Sequence, residues 1–271
     1  MRMLRAVIFL LLGSVVFARA QFDGPGSPGV IASLTRLFGT NFAFTAQVEY
    51  QLLNRSNQVV VSMPMSFARL DNRIRVETDL SRMKNEVRSD VLAQFKPLGL
   101  DQIVTISRPD LRATCQVFPK VRAFFKLPMA TNEIESFIKP AKMERTLVGQ
   151  EKMQGFSCNK YRVVTYDQQG KRYEATVWNA PALRDFPVCV ATREGTDTAV
   201  MRFNQVVFNR PEASKFEPPQ GFEECSDMQA LAAGPGTRYM VKNKTTTKPP
   251  AKAKAPATKP KTTPGTTTKT P

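Results

Sequence analysis

The chain has no histidine, and Trp178 is its single tryptophan. Without an imidazole there is no histidine acid–base pair, no Ser–His or Cys–His nucleophile and no histidine metal ligand. The zinc-protease, nucleophile-elbow, phosphate-loop and dinucleotide-binding patterns are missing as well. Acids are scattered, at Asp71, Glu77, Asp90, Asp101 and Asp110 and onward. The adjacent pair Glu223 and Glu224 reads as solvated surface, and only a catalyst built on carboxylates alone stays open. The expectation is therefore a protein that is not an enzyme and needs no cofactor and no metal.

Long apolar runs are also lacking, with one exception at the N-terminus. Arg2 and Arg5 precede a nearly all-apolar stretch from Ala6 to Phe17, and Ala18-Arg19-Ala20 follows with a small-x-small pattern. This is the order of a cleavable signal peptide, residues 1–20. The run falls short of the roughly 20 residues a membrane-spanning helix needs. The expected location is periplasmic or secreted.

Residues 241–271 contain no aromatic residue and no acid. Lysine, threonine, proline and alanine dominate there, so the segment has nothing to bury and reads as a disordered tail. Of the net charge of +16, the tail carries eight lysines and the leader three arginines, leaving +5 on residues 21–240. The basicity is largely a property of the tail, which argues against a nucleic-acid-binding fold. Outside the cytoplasm such a tail meets anionic envelope polymers or lipid head groups, or serves as a solubilising spacer.

Cysteine is sparse: Cys115, Cys158, Cys189 and Cys225, spaced too widely for a zinc cluster. In an exported chain they fit two disulfides, with all three pairings open, or four buried thiols.

The intervening 220 or so residues suffice for one domain with a real core, read as a monomer. Ser27-Pro28 followed by Val30, Ile31, Leu34, Leu37 and Phe38 predicts an amphipathic helix stopped by Gly39. Phe42, Phe44, Ala46, Val48, Tyr50 and Leu52 then alternate with mostly polar residues, the period of a half-buried strand. Turn residues at Asn54–Asn57 and Asp71-Asn72 lead to returning strands over 59–67 and 74–77, a meander in which Pro64 marks an edge or bulge. A helix is expected over 89–99, strands over 102–107, 112–118 and 122–127, and a small helix over 131–138. A second meander runs through 143–152, 156–166, 172–178, 188–194 and 200–208. Roughly ten strands with few helices imply a mainly β, α+β fold with a curved sheet or open barrel.

Several runs resemble the LolA-like class of exported proteins. They are Trp178-Asn179-Ala180-Pro181, Phe186-Pro187-Val188, the stretch from Gly155 to Tyr161, and the stretch from Phe216 to Phe222. The stretches from Gln94 to Asp101 and from Ile106 to Asp110 are similar to an uncharacterised branch of that class, and together the runs cover residues 40–225. The resemblance implies a strongly curved antiparallel sheet forming an open half-barrel closed by short helices. It also implies a concave apolar cavity that holds a lipid, a lipoprotein acyl chain or another amphiphile. Candidate lining residues are Phe42, Phe44, Val48, Tyr50, Phe67, Ile74, Phe118 and Trp178. The alternative is an envelope interaction module with a filled core, its concavity packed by the helix ending at Phe38, whose tail contacts the anionic polymers.

Overall fold

The computed structural model describes residues 35–85, 93–138, 142–166, 170 and 172–234. The leader, the tail and most of the helix expected over 27–38 lie outside the described residues, as does the first half of the helix expected over 89–99.

Thirteen strands form one sheet. They are β1 (Ala43–Leu53), β2 (Val59–Leu70), β3 (Arg73–Asp79), β4 (Lys84–Asn85), β5 (Gln102–Arg108), β6 (Ala113–Phe118) and β7 (Ala123–Pro128), followed by β8 (Met143–Met153), β9 (Phe156–Tyr166), β10 (Arg172–Ala180), β11 (Phe186–Glu194), β12 (Asp197–Val207) and β13 (Glu223–Cys225). The spatial order is β13-β7-β6-β5-β3-β2-β1-β12-β11-β10-β9-β8. Two consecutive meanders are thus joined edge to edge by β1 and β12, and the outer strands β13 and β8 leave the sheet open. Every pairing is antiparallel except β13 on β7, which is parallel. The helices are short: α1 (Thr131–Ile138), α2 (Met228–Ala232) and several 3-10 turns.

β4 pairs β2 at Ser62 and Val61, resuming the edge position that β3 leaves at Met65. Pro64 lies opposite that interruption. Its missing N–H is therefore tolerated inside a central strand, rather than at the edge or bulge the sequence suggested.

Three hairpin connections share one design that a sequence reading passes over. Pro109–Leu111, Pro119–Val121 and Pro181–Leu183 are 3-10 turns opened by proline, each closed by an arginine at positive φ: Arg112, Arg122 and Arg184. Proline supplies the starting φ, and the left-handed residue reverses the chain.

The sheet is concave on one face. Phe67 of β2 and Phe203 of β12 are separated by β1, as Phe44 of β1 and Phe186 of β11 are by β12. In a flat sheet such residues stand about 9.5 Å apart. Their rings come within 5.9 Å and 4.9 Å of each other, so the side chains converge.

Coverage of the concave face falls from one edge to the other. At the β13 end Phe118, Ala123 and Phe125 are sealed by Leu100, by Leu231 of α2 and by Cys225. In the middle Phe38 is the cover. At the far end Met143, Leu147 and Tyr173 stay exposed. The register Leu147–Tyr161–Val177 and Met143–Thr165–Tyr173 places them on the same face as the buried core. Among the described residues the opposite face is covered around β5 to β7, where Phe216 packs on Ile106, Cys115 and Val117. β5 is accordingly buried on both sides from Val104 to Arg108.

None of the four cysteines is in a disulfide, and all four are buried. This corrects the pairing expectation, and the topology gives the reason. Cys158 and Cys189 lie on β9 and β11, with β10 between them. Cys115 belongs to the cluster under Phe216 and Cys225 to the cluster under Leu231, on opposite faces of β7. A disulfide requires Cα atoms within about 7 Å, with the Cβ vectors facing.

Candidate functional site

The centre of the concave face is an aromatic cage around one guest. Phe38 comes from the segment before the sheet, not from a strand, and is 1% exposed. Its ring lies 4.9 Å from Phe44, 5.4 Å from Phe203 and 5.5 Å from both Phe67 and Phe186. The edge-to-face geometry at Phe44 and Phe203 is the arrangement that adds to plain area burial. Around the cage lie Ala46, Val48, Tyr50, Met63, Met65, Ile74, Val76, Val188, Val190 and Met201.

Three features hold the guest in place. Gly39 adopts φ 55 immediately after Phe38, ending the helical turn at residues 35–37. Asn41 donates from both its backbone N–H and its Nδ2 to the Phe38 carbonyl, at 3.0 and 3.1 Å. Arg69, 4% exposed, donates from Nη1 to the Thr35 carbonyl at 3.2 Å and from Nε to the Asp71 carbonyl at 2.9 Å. Burial pulls the Arg69 guanidinium down to about 10, with Asp71 working the other way. An arginine on the core face of a strand is not what alternation predicts, and this one is there to satisfy the turn that carries Phe38.

A depression of about 670 Å³ abuts the cage. It is lined by Gln47, Gln154, Phe156, Leu183, Phe203, Asn204, Gln205 and Val206. Phe203 belongs to both. The opening sits where β12 bulges against β1, between the pairs Gln47–Asn204 and Thr45–Val207, with Gln205 at φ 49.

Of the expected lining residues, the structure gathers Phe44, Val48, Tyr50, Phe67 and Ile74 in one cluster with Phe38. Of the other three, Phe42 and Phe118 lie elsewhere, and Trp178 packs against the cluster as a partly buried neighbour. Phe42 precedes β1 and is 50% exposed, its ring 5.2 Å beneath Arg69. The alternation that seemed to include it starts one residue later, and its backbone N–H is used in a turn to Thr40. Phe118 is buried in the separate cluster under α2. Trp178 shares a face with Glu49, Arg202, Cys189 and Lys160, because Val177 takes the core side. Its indole N–H donates to Glu151 at 3.0 Å, and Lys160 lies 5.0 Å over its ring. Phe38 reads in the sequence only as the end of a helix packed into the concavity; Arg69 as its support, and Phe186 and Phe203 as walls, carry no signal of that role in the sequence. The adjacent Phe186-Pro187 was noted only as a resemblance.

Most of the paired carboxylates are on the surface; Asp101 is the buried one, 0% exposed, accepting from Lys120 Nζ at 2.7 Å. Glu224 pairs with Lys126 at 3.1 Å. Hydrogen bonding from Arg162, assisted by Arg172, holds Glu174 at about 2. Among the described residues no helix is long and apolar enough to cross a membrane.

No known family profile matches the chain, and no curated protein matches it. Solved structures do align with it. A LolA superfamily protein from Nitrosomonas europaea is 8% identical at a TM-score of 0.35, over 69% of this chain and 96% of that one. The lipoprotein LppX from Mycobacterium tuberculosis is 11% identical at 0.36, over 68% and 97%. LprF from Mycobacterium bovis is 9% identical at 0.36, over 71% and 97%. The fold described above rests on the strand order and curvature of this chain itself.

Proposed function

We propose that the chain is an exported, non-enzymatic binding protein for a lipid, lipoprotein acyl chain or similar amphiphile, and that the ligand's apolar tail takes the place of Phe38 in the aromatic cage. The observation behind this reading is where Phe38 comes from. It reaches the cage from a short turn, while all four ring walls belong to strands. Phe44, Val48, Tyr50, Phe67 and Ile74 would line the site, with Phe186 and Phe203 added. The depression at Phe203 gives access, and the exposed Met143, Leu147 and Tyr173 extend the apolar face toward the open edge.

Magnitudes set the ligand class. Burying a phenylalanine contributes about 1.5–3 kcal/mol, and each methylene about 0.8. A tail must therefore bury more than about four methylenes to displace Phe38. Medium and long acyl chains meet that requirement; short organic acids do not.

The near-complete burial of Phe38 also favours a second reading. In it the concavity is permanently filled, and the chain is an interaction module whose basic tail contacts anionic envelope polymers. Native mass spectrometry of the exported chain, with organic extraction, separates the two. Carriage of a tail predicts a stoichiometric lipid, or uptake of a fluorescent fatty acid that rises at least about threefold in Phe38→Ala, where the competing guest is gone. A clean apo mass together with no uptake by either protein would sink it and leave the filled module.

A further inference from the structure

The end of the sheet beyond Leu53 carries a second, polar site. β1 pairs β12 through Leu53 and Thr198, so the β1–β2 turn abuts the β11–β12 turn. Between them is a depression of about 460 Å³ lined by Asn54, Arg55, Asn57, Arg193, Gly195, Thr196 and Thr198. The lining holds two guanidinium groups, two amides and two hydroxyls, with no apolar side chain and no carboxylate.

Among the described side chains the charge there is uncompensated. Arg55 and Arg193 are exposed, and among the described residues neither makes an ion pair or a side-chain hydrogen bond. Several cations elsewhere on the sheet are matched: Arg162 and Arg172 with Glu174, Arg145 with Asp185, Lys160 with Glu151. Arg82 and Lys84, near the same end, are exposed and likewise unmatched among the described residues, which adds to the local positive field. Asp197, an acid adjoining the site, accepts a hydrogen bond from the Thr196 hydroxyl at 3.1 Å and is outside the lining.

The walls are fixed in advance. The Asn54 side-chain oxygen accepts the N–H groups of Ser56 and Gln58 at 2.9 and 3.0 Å, while Asn57 sits at φ 59. Two like charges held on adjacent rigid turns repel each other unless an anion lies between them. Planar guanidinium forks match oxyanions in particular, and neutral amide and hydroxyl donors complete such a shell.

We propose that this depression binds a phosphate group, either free or at the head of a lipid. The site stands apart from the aromatic cage, at the opposite end of β1 from Phe44, and does not depend on what the cage holds. The test compares the full chain with an Arg55→Gln/Arg193→Gln variant. A tail variant of equal charge loss, Lys248→Gln/Lys252→Gln, serves as control. Inorganic phosphate and glycerol phosphate are titrated by calorimetry. Vesicles of phosphatidylglycerol or phosphatidylcholine are co-sedimented at about 0.15 M salt, where long-range attraction is screened. Loss of phosphate binding by about tenfold in the turn variant alone supports a free-phosphate site. Unchanged phosphate binding with a threefold or greater drop in phosphatidylglycerol binding, again roughly confined to the turn variant, supports a lipid head group. Equal behaviour of wild type and turn variant in both assays, or an equal loss in the tail control, overturns the proposal.

Discussion

The Arg69 guanidinium lies 5.8 Å over the Phe38 ring while its Nη1 holds the carbonyl of Thr35, three residues before that ring. One buried cation thus fixes both the backbone of the N-terminal turn and the face of its aromatic guest. Replacing Arg69 with methionine keeps the bulk and removes the donors. The Thr35 and Asp71 carbonyls lose a partner, at a cost of about 1–3 kcal/mol, offset in part by relief of the desolvated charge. The expected result is a lower denaturation midpoint with faster amide exchange around Asn41. An Arg69→Met protein more stable than wild type would show that the contact does not hold the turn.

The cysteines lend themselves to a chemical check. Burial pushes the Cys115 thiol up to about 12 and the Cys189 thiol up to about 11. The thiolate is the reactive form, so both groups are inert near neutral pH while folded. Iodoacetamide at about pH 8, below the ordinary thiol range, should leave the native protein unmodified and add four adducts after unfolding without reductant. Two adducts or none after unfolding would mean that disulfides form in the protein.

Much of the sheet was legible because its signals are local. Alternation from Phe44 to Tyr50, with turns at Asn54–Asn57 and Asp71-Asn72, specifies the first meander down to its register. What joins the two meanders is not local: β1 meets β12 roughly 150 residues later, and no pattern in either strand names its partner. The site was partly legible for the same reason. Phe44, Val48 and Tyr50 fall on one face by parity alone. Trp178, before Asn179-Ala180-Pro181 at a strand end, reads as a ring lining a mouth, yet Val177 takes the core side and Trp178 meets the cluster only as a partly buried neighbour. Arg69 stayed hidden because charge on a strand normally signals solvent, and its role appears only once the Thr35 carbonyl is seen above it. The short β13 and α2 were missed because three and five residues are too few for a period to show.

The β9–β10 ladder carries an acid-sensitive pair. Arg162 donates two hydrogen bonds to Glu174, at 2.6 and 3.1 Å, and Arg172 adds another, bringing that carboxyl from 4.5 to about 2. Because the folded value lies below the unfolded one, the stabilisation is complete above pH 4.5 and is lost as pH falls toward 2. The group lies on the solvated surface, so the effect is local rather than global. Hydrogen exchange at Arg162 to Val164 should quicken across that window in wild type. In Glu174→Gln the same amides should show no change across it. Parallel curves for the two proteins would remove Glu174 as the cause.

On the convex face Arg108 ties the C-terminal segment to the sheet. Its Nε and Nη2 grip Asp110 at 2.9 and 2.7 Å, while Nη1 reaches the Phe216 carbonyl at 3.2 Å and the Glu217 carboxylate. These bonds hold the Arg108 guanidinium above its usual range. They also seat Phe216, fully buried, on Ile106 and Val117. Phe216→Ala should cost about 3–5 kcal/mol, the range for an aromatic removed from a core. Arg108→Leu should cost less, about 1–3 kcal/mol, because Asp110 and Glu217 are half-exposed and regain water. If the clamp works by seating the ring, the two losses are not additive. The double variant should then fall short of their sum by about 0.5–3 kcal/mol in chemical denaturation. Strict additivity would mean that Phe216 finds its seat without Arg108, leaving the guanidinium a surface ion pair and nothing more.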